Sequence, residues 1–338
     1  MSPLLLSLVV LLALVMAYYN GFHDASNAVS TAITTRSLRE STALGMAAIL
    51  NLLGALLGMA MIGLSLPWAL HLLGLEPLAA QLVDAPDVLA LCLLAIITAT
   101  LAWEVLTWWM GMPSSTWHSF FGGVLGVSLI AGSSAPWGRF ATILAISVVG
   151  PLLAIGISFA VMQALLALIR TQRVRIDHVR FAQTVTAGLV ATGHGIADSR
   201  IPLAVVAIAV IPLGLPTGAS LALMLLIALA MAAGTFMGGH RIIRTIGRRL
   251  TDLSASQGLA AESTSAGLMG LGAIGLEFPM SSSHSLASSV IGAGVAMGPR
   301  QVRWNVARTM VGIWVVTPIA TAVIAGSIAA VLRELPLV

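Results

Sequence analysis

Apolar residues fill this chain in long blocks, and several of the blocks exceed the roughly 18 residues that cross a bilayer core. Two kinds of polar cassette interrupt the blocks, and each occurs twice. Asn20-Gly21-Phe22-His23-Asp24-Ala25-Ser26-Asn27 is followed by Pro113-Ser114-Ser115-Thr116-Trp117-His118; later come His194-Gly195-Ile196-Ala197-Asp198 and Pro279-Met280-Ser281-Ser282-Ser283-His284. The Asp members are 198 − 24 = 174 positions apart and the Pro members 279 − 113 = 166, so order and spacing both repeat. About half the chain is therefore an internal duplication. Polar groups are costly in lipid, so two matching sets predict one central site built from both halves.

The apolar pattern divides into ten spans. The first half gives Pro3 to Thr35, Ser41 to Leu64, Asp87 to Met112, Ser114 to Ile130 and Phe140 to Ile169. The second gives Ala182 to Leu213, Thr217 to Met237, Ala260 to Leu276, Met280 to Met297 and Val302 to Leu332. The first of these has 33 residues, which as one straight helix would be roughly 50 Å long against a hydrocarbon core of roughly 30 Å. It must tilt or be interrupted, and Asn20-Gly21 in its middle, like Gly195 with Pro202 in the second half, predicts unwound backbone near the midplane. Helices broken there offer amides to an anion and carbonyls to a cation. Pro113 and Pro279 each precede a hydroxyl cluster that opens an apolar helix, an N-terminus signature whose first turn suits an oxyanion.

Composition agrees with a membrane solvent: 58% of the residues are hydrophobic, 8% are charged, and the mean hydropathy is +1.01. The fold class expected is an all-α polytopic membrane protein of 10 to 12 helices. Pro3 to Ala17 lacks a basic leader region and a small-residue cleavage site, which reads as a retained span and not as a signal peptide. The single cysteine, Cys92, lies in an apolar stretch, excludes an intramolecular disulfide and builds no metal cluster.

Charge then orients the spans. All 16 basic residues are arginine, and most bunch at 36 and 39, at 170 to 180, at 241 to 249 and at 300 to 308; the segment Leu66 to Leu89 carries only Glu76, Asp84 and Asp87. The clusters should face the cytoplasm, with Arg139 and Arg333 as isolated exceptions at outer ends. Five crossings per half is an odd number, so the repeats are expected in inverted topology with both termini outside. The domains are 1–169, an N-terminal repeat; 170–180, an Arg-rich cytoplasmic linker; and 181–338, a C-terminal repeat. The expected location is the plasma membrane, a bacterial inner membrane, with the lipid bilayer as partner. No basic run is interleaved with aromatics, so nucleic acid is not a partner. Whether the chain pairs as a homodimer is left open.

The cassettes also resemble a known family. Asn20 to Ser37, NGFHDASNAVSTAITTRS, closely resembles the first signature of the inorganic phosphate transporter (PiT) family, and GMPSSTWHSFFGGVLGVSL (Gly111 to Leu129) resembles its hydroxyl-rich Pro-Ser signature. GHGIADSR and FPMSSSHSLASSVIGAG are the second-half counterparts, so the resemblance covers nearly the whole chain. It implies cation-coupled uptake of inorganic phosphate by an inverted-repeat fold. By motif position it carries cation coupling to Asp24, Asn27 and Asp198, with Asn20 of the same cassette, and substrate binding to Ser115 and Thr116, with Ser114, and to Ser281, Ser282 and Ser283. The co-transported ion is sodium or a proton; no other cofactor is expected. Three positions depart from the signatures: Ala197 and Ile201 stand where polar ligands are usual, and Trp117 where a hydroxyl is. Arg200 offers a two-pronged guanidinium to a tetrahedral anion, as a substrate ligand or as a salt-bridge partner of Asp198. A branch of the family is associated with sulfate, so the expectation is a phosphate symporter with a sulfate symporter as the alternative.

Other readings fit less well. An intramembrane aspartyl protease needs a Gly-x-Gly-Asp setting, whereas Asp198 follows Gly-His-Gly-Ile-Ala, and a serine protease needs one asymmetric constellation, whereas each Ser/His pair here occurs twice. A passive anion channel is opposed by carboxylates that repel an anion. His118 and His284 divide evenly between ligand and structural roles, while His23 and His194 lean to helix packing. Glu104, flanked by Trp103, Trp108 and Trp109, and Glu277 are intramembrane or interfacial acids, and Gly267 to Gly275 reads as close helix packing.

Overall fold

The computed structural model describes residues 1–63, 65–172, 174–214, 216–275 and 280–334. Arg173, Glu277 and Pro279 lie outside the described residues, so the helix-start signal at Pro279 is not followed further. The first half holds α1 (Pro3–Thr34), α2 (Glu40–Ile62), α3 (Leu66–Leu73), α4 (Glu76–Gln81), α5 (Pro86–Met110), α6 (Thr116–Ala131) and α7 (Trp137–Arg170). The second holds α8 (Ile176–Asp198), α9 (Arg200–Val210), α10 (Thr217–Met237), α11 (His240–Arg244), α12 (Ala255–Gly275), α13 (Ser282–Met297) and α14 (Trp304–Arg333). Seven helical stretches among the described residues are long and apolar enough to cross a membrane, and the chain is a multi-pass membrane protein.

Helix packing follows the duplication. Exchanging α1 with α8 and α9, α2 with α10, α5 with α12, α6 with α13 and α7 with α14 maps each main contact onto another. Thus α1 packs on α10 as α2 packs on α8, α6 on α14 as α13 on α7, and α5 on α6 as α12 on α13. Each repeat therefore completes itself with helices of the other. Even the interior prolines of the long closing helices correspond, Pro151 in α7 and Pro318 in α14, 318 − 151 = 167 positions apart.

Polar ties at the helix ends sort the connections onto two faces. Met1 pairs with Asp87 at 3.8 Å, Gln81 donates to the Ala131 carbonyl at 3.0 Å and Arg333 to that of Ile130 at 3.5 Å, so both ends of the described chain share a face with α3 and α4. Arg139, bonded to the Leu72 carbonyl, lies there too. The opposite face gathers the arginine clusters: Thr35 and Ser37 meet Gln183, Arg303 reaches Asp252 and the Arg248 carbonyl, and Thr251 bridges to Val302. The five helical segments expected in each repeat appear in order, but two of them are too short to be full crossings. Within each repeat α5–α6 and α12–α13 are hairpins, and the short legs α6 and α13 have 16 residues each, about 24 Å, less than a full core. Both legs begin where the two repeats meet, since the rings of His118 and His284 near their starts are 4.8 Å apart.

The helix breaks lie at these hairpin tips, and not at Asn20-Gly21. There α1 runs unbroken for 32 residues, so its excess length goes into tilt or into ends that stand beyond the hydrocarbon. Gly21 serves close packing instead: a Cβ there would lie 2.0 Å from the Met231 carbonyl oxygen of α10. Gly195 repeats the device, with a Cβ 2.3 Å from the Asn51 carbonyl oxygen of α2. At the second position the backbone is not unwound either: Ser199, the one residue between α8 and α9, keeps helical dihedrals of −65° and −17°, and what is lost is the bond that Pro202, having no N–H, cannot give to the Asp198 carbonyl.

Candidate functional site

Asn20, Asp24 and Asn27 stand at i−4, i and i+3 on α1, so they line one stripe of that helix, and all are at most 3% exposed. His23 Nδ1 lies 2.9 Å from Asp24 Oδ1. From the second repeat, the Ser282 and Ser283 hydroxyls donate to the same carboxylate at 3.4 and 3.3 Å, and Asn27 Nδ2 donates to those two hydroxyls at 3.1 and 2.9 Å. The first acidic motif is thus held by the second hydroxyl cluster. Asn20 turns the other way and donates to Thr116 Oγ1 at 2.8 Å, tying α1 to the start of α6.

The second carboxylate is held differently. Asp198 Oδ1 accepts the indole N–H of Trp117 at 2.9 Å, a bond from the first repeat's hydroxyl cassette. Trp117 replaces the hydroxyl that a family signature carries, yet supplies a donor of its own. His194, one turn before Asp198 on α8, places Nε2 at 2.9 Å from Asp198 Oδ2 and 3.7 Å from Asp24 Oδ2. Its other nitrogen is fixed: Asn51 Nδ2 donates to Thr235 at 2.6 Å, which leaves Asn51 Oδ1 to accept from His194 Nδ1 at 3.2 Å. Ligand atoms of Asp24, His194 and Asp198 all lie within 4.8 Å of one another, a spacing that one small cation bridges. Two carboxylates and an imidazole nitrogen suit a proton or a hard cation.

Two helix N-termini converge on these carboxylates. Ser115 caps α6 by accepting from the His118 amide, and Ser281 caps α13 by accepting from the His284 amide. Their hydroxyls accept there and keep an O–H to donate, while Thr116, Ser282 and Ser283 bond within the polar network. Ser114 faces away from both aspartates toward Thr107 at 2.8 Å and His23 Nε2 at 3.4 Å. Arg200 is buried at the start of α9, near enough to Asp198 for the two charges to interact. His118 bonds Ser147 of α7, and His284 lies 4.2 Å from the Trp314 ring of α14; Ser147 and Trp314 each stand four residues before the interior proline.

All these groups but the half-buried Ser147 are buried, so the site is closed to both faces. Four participants lie outside the cassettes' predicted roles. Asn51 is a lone amide in the apolar run of α2, a signal that could have marked it. His23 and His194, expected mainly to pack, each lie 2.9 Å from a carboxylate oxygen. Glu104 is wholly buried on α5 beside Tyr19, His23 and Thr116 and not at an interface, because α5 packs against α1, α6 and α14. A further buried acid, Glu262 of α12, accepts from Thr31 and Thr186 two turns along α1 from Asp24.

Comparison with known proteins agrees with this two-part build. The model of the Phosphate transporter family matches residues 20–178 and again residues 171–325. A probable low-affinity inorganic phosphate transporter of Mycobacterium leprae is 32% identical over 329 residues, covering 94% of this chain and 76% of the relative. The Bacillus subtilis protein of the same description is 29% identical over 320 residues, 92% of each chain. The solved structure of the sodium-dependent phosphate transporter has the same fold, with a TM-score of 0.82 over 97% of this chain and 99% of that one at 22% identity.

Proposed function

Since the chain belongs to the phosphate transporter family, we propose that it is a secondary transporter carrying inorganic phosphate across the membrane together with a proton or a sodium ion. One observation carries the reading: Asp24 and Asp198, contributed by opposite repeats, meet at His194 between the hydroxyl-rich starts of α6 and α13. A cation there offsets the two carboxylates, and the anion then finds amides and hydroxyls at two helix N-termini. Without the cation the carboxylates repel the anion, which makes the two ligands depend on each other. Relative motion of the inverted repeats, each completed by helices of the other, opens the site to one face at a time. By the charge rule the arginine-rich face is cytoplasmic and both ends of the chain are outside.

The choice of anion follows from the donors and acceptors. Carboxylates only accept hydrogen bonds, and phosphate near neutral pH keeps at least one O–H to donate, whereas sulfate has none. A site with Asp24 and Asp198 at its heart therefore favours phosphate over sulfate. Arg200 is assigned to Asp198 and to the anion together, a bridge between the two ligands. The protease reading is set aside, since the relatives are transporters and not enzymes. Purified protein in proteoliposomes tests the proposal by uptake of labelled phosphate and of labelled sulfate under imposed proton and sodium gradients in turn. Gradient-driven phosphate uptake that sulfate does not displace is expected; uptake of neither anion would overturn it.

A further inference from the structure

Three carboxyl groups surround the start of α6, and their surroundings differ. Asp24 is faced by the His23 ring nitrogen and two serine hydroxyls, and Asp198 by the Trp117 indole N–H and the His194 ring nitrogen. Glu104 is 0% exposed, and neither of its oxygens makes a well-formed hydrogen bond or an ion pair among the described residues. Thr116 accepts the Asn20 amide N–H and keeps its own O–H as the donor close to Glu104. The polar and charged groups around it come from the helices packed against α5 and from α8. From α1 come Tyr19, His23 and Asp24, and His23 has Nδ1 on Asp24 and Nε2 near Thr107 and Ser114. From the α8–α9 pair comes Asp198, of like charge. From α14 comes Thr317, which takes the Trp103 N–H, and from α11 comes Arg241, bonded to the Trp109 carbonyl at the exposed end of α5. An ionised carboxylate there would carry a desolvation cost and the repulsion of two other acids, with the His23 ring as its basic neighbour.

We propose that Glu104 is the proton carrier of this transporter, holding the coupled proton while the anion is bound at the starts of α6 and α13. This rests on the phosphate-transport reading above. With the site open to one face, a proton from water adds to a Glu104 oxygen and forms the O–H bond; with it open to the other, that bond breaks and water takes the proton back. Glu104 adjoins Thr116, the first residue of α6, so the charge it carries is felt where the anion sits. With a cation offsetting Asp24 and Asp198, neutral Glu104 leaves the anion site free of further repulsion, and ionised Glu104 adds a repelling charge beside it. Proton and phosphate thus favour each other's binding, reciprocally. Asp24 and Asp198, already supplied with donors, set the frame for the anion, and Glu104 supplies the variable charge.

Proteoliposomes of the native chain and of Glu104→Gln separate coupling from binding. In the native protein an inward proton gradient should drive phosphate accumulation with no sodium present. Glu104→Gln, isosteric and permanently neutral, should lose that accumulation by about tenfold or more while still exchanging internal for external labelled phosphate. A second readout does not involve phosphate: infrared difference spectra of the purified proteins at neutral pH should show a protonated-carboxyl C=O band lost in Glu104→Gln and shifted in Glu104→Asp. The Asp variant also decides the matter if the Gln variant fails to fold. Native-like accumulation by Glu104→Gln, accumulation driven by sodium alone, or a carboxyl band untouched by both variants would overturn the proposal. Absence of phosphate exchange in the native protein would instead refute the transport reading, with the infrared band still reporting whether Glu104 holds a proton.

Discussion

The two repeats share a scaffold and differ at the site. In the first, the acidic motif sits on an unbroken helix, and Asp24 is bonded by Ser282 and Ser283 through hydroxyls that turn easily between donor and acceptor. In the second, Asp198 ends α8, one residue before α9, and is held by the Trp117 indole, which can only donate and sits at a rigid ring edge. Duplication thus fixed the packing symmetrically and left the coordination unequal. On the transport proposal, the hydroxyls around Asp24 would re-aim at an arriving anion and the indole on Asp198 would not, an assignment of ligand exchange to the first carboxylate and positioning to the second.

Breaking that comparison should have its largest effect at Asp24. Asp24→Asn is expected to lower the initial rate of gradient-driven phosphate uptake by about 100-fold or more, as loss of a buried charge at the reacting centre does; a rate within a few fold of native would contradict the assignment. Next come the scaffold glycines. Gly21→Ala and Gly195→Ala each drive a methyl into a carbonyl of the other repeat, so each should lower stability by about 1–3 kcal/mol. Thermal unfolding of the two variants should move by similar amounts; a large difference would show that the scaffold is not symmetric. Trp117→Phe removes one donor to Asp198 and keeps the ring, so about a tenfold fall in uptake is expected, with little change in unfolding temperature. Smallest should be Pro202→Ala, which restores a backbone donor to the Asp198 carbonyl: uptake should change by only a few fold, with helix content by circular dichroism unchanged.

Much of this was legible in the sequence, for physical reasons. Apolar block length and the doubled cassettes give the repeats, because lipid tolerates few polar groups and those few must serve the interior. The i−4, i, i+3 spacing of Asn20, Asp24 and Asn27 already places them on one stripe. The expected unwinding at Asn20-Gly21 did not follow, since a glycine beside an asparagine reads alike whether it loosens a helix or admits a neighbour's backbone; only the approach of Met231 distinguishes the two. Trp117 looked like a lost ligand because its partner, Asp198, is 81 positions away. Glu104, among tryptophans, looked interfacial, and its burial depends on three helices that close around it only in the fold.

The central claim is that carboxylates from the two repeats serve one anion site. A double-mutant cycle on phosphate affinity, measured by titration calorimetry of the purified native protein, Asp24→Asn, Asp198→Asn and the double variant, tests it most directly. One shared site predicts strong non-additivity, with the double variant losing little more affinity than Asp24→Asn alone. Losses that simply add would mean two independent sites and would contradict the account.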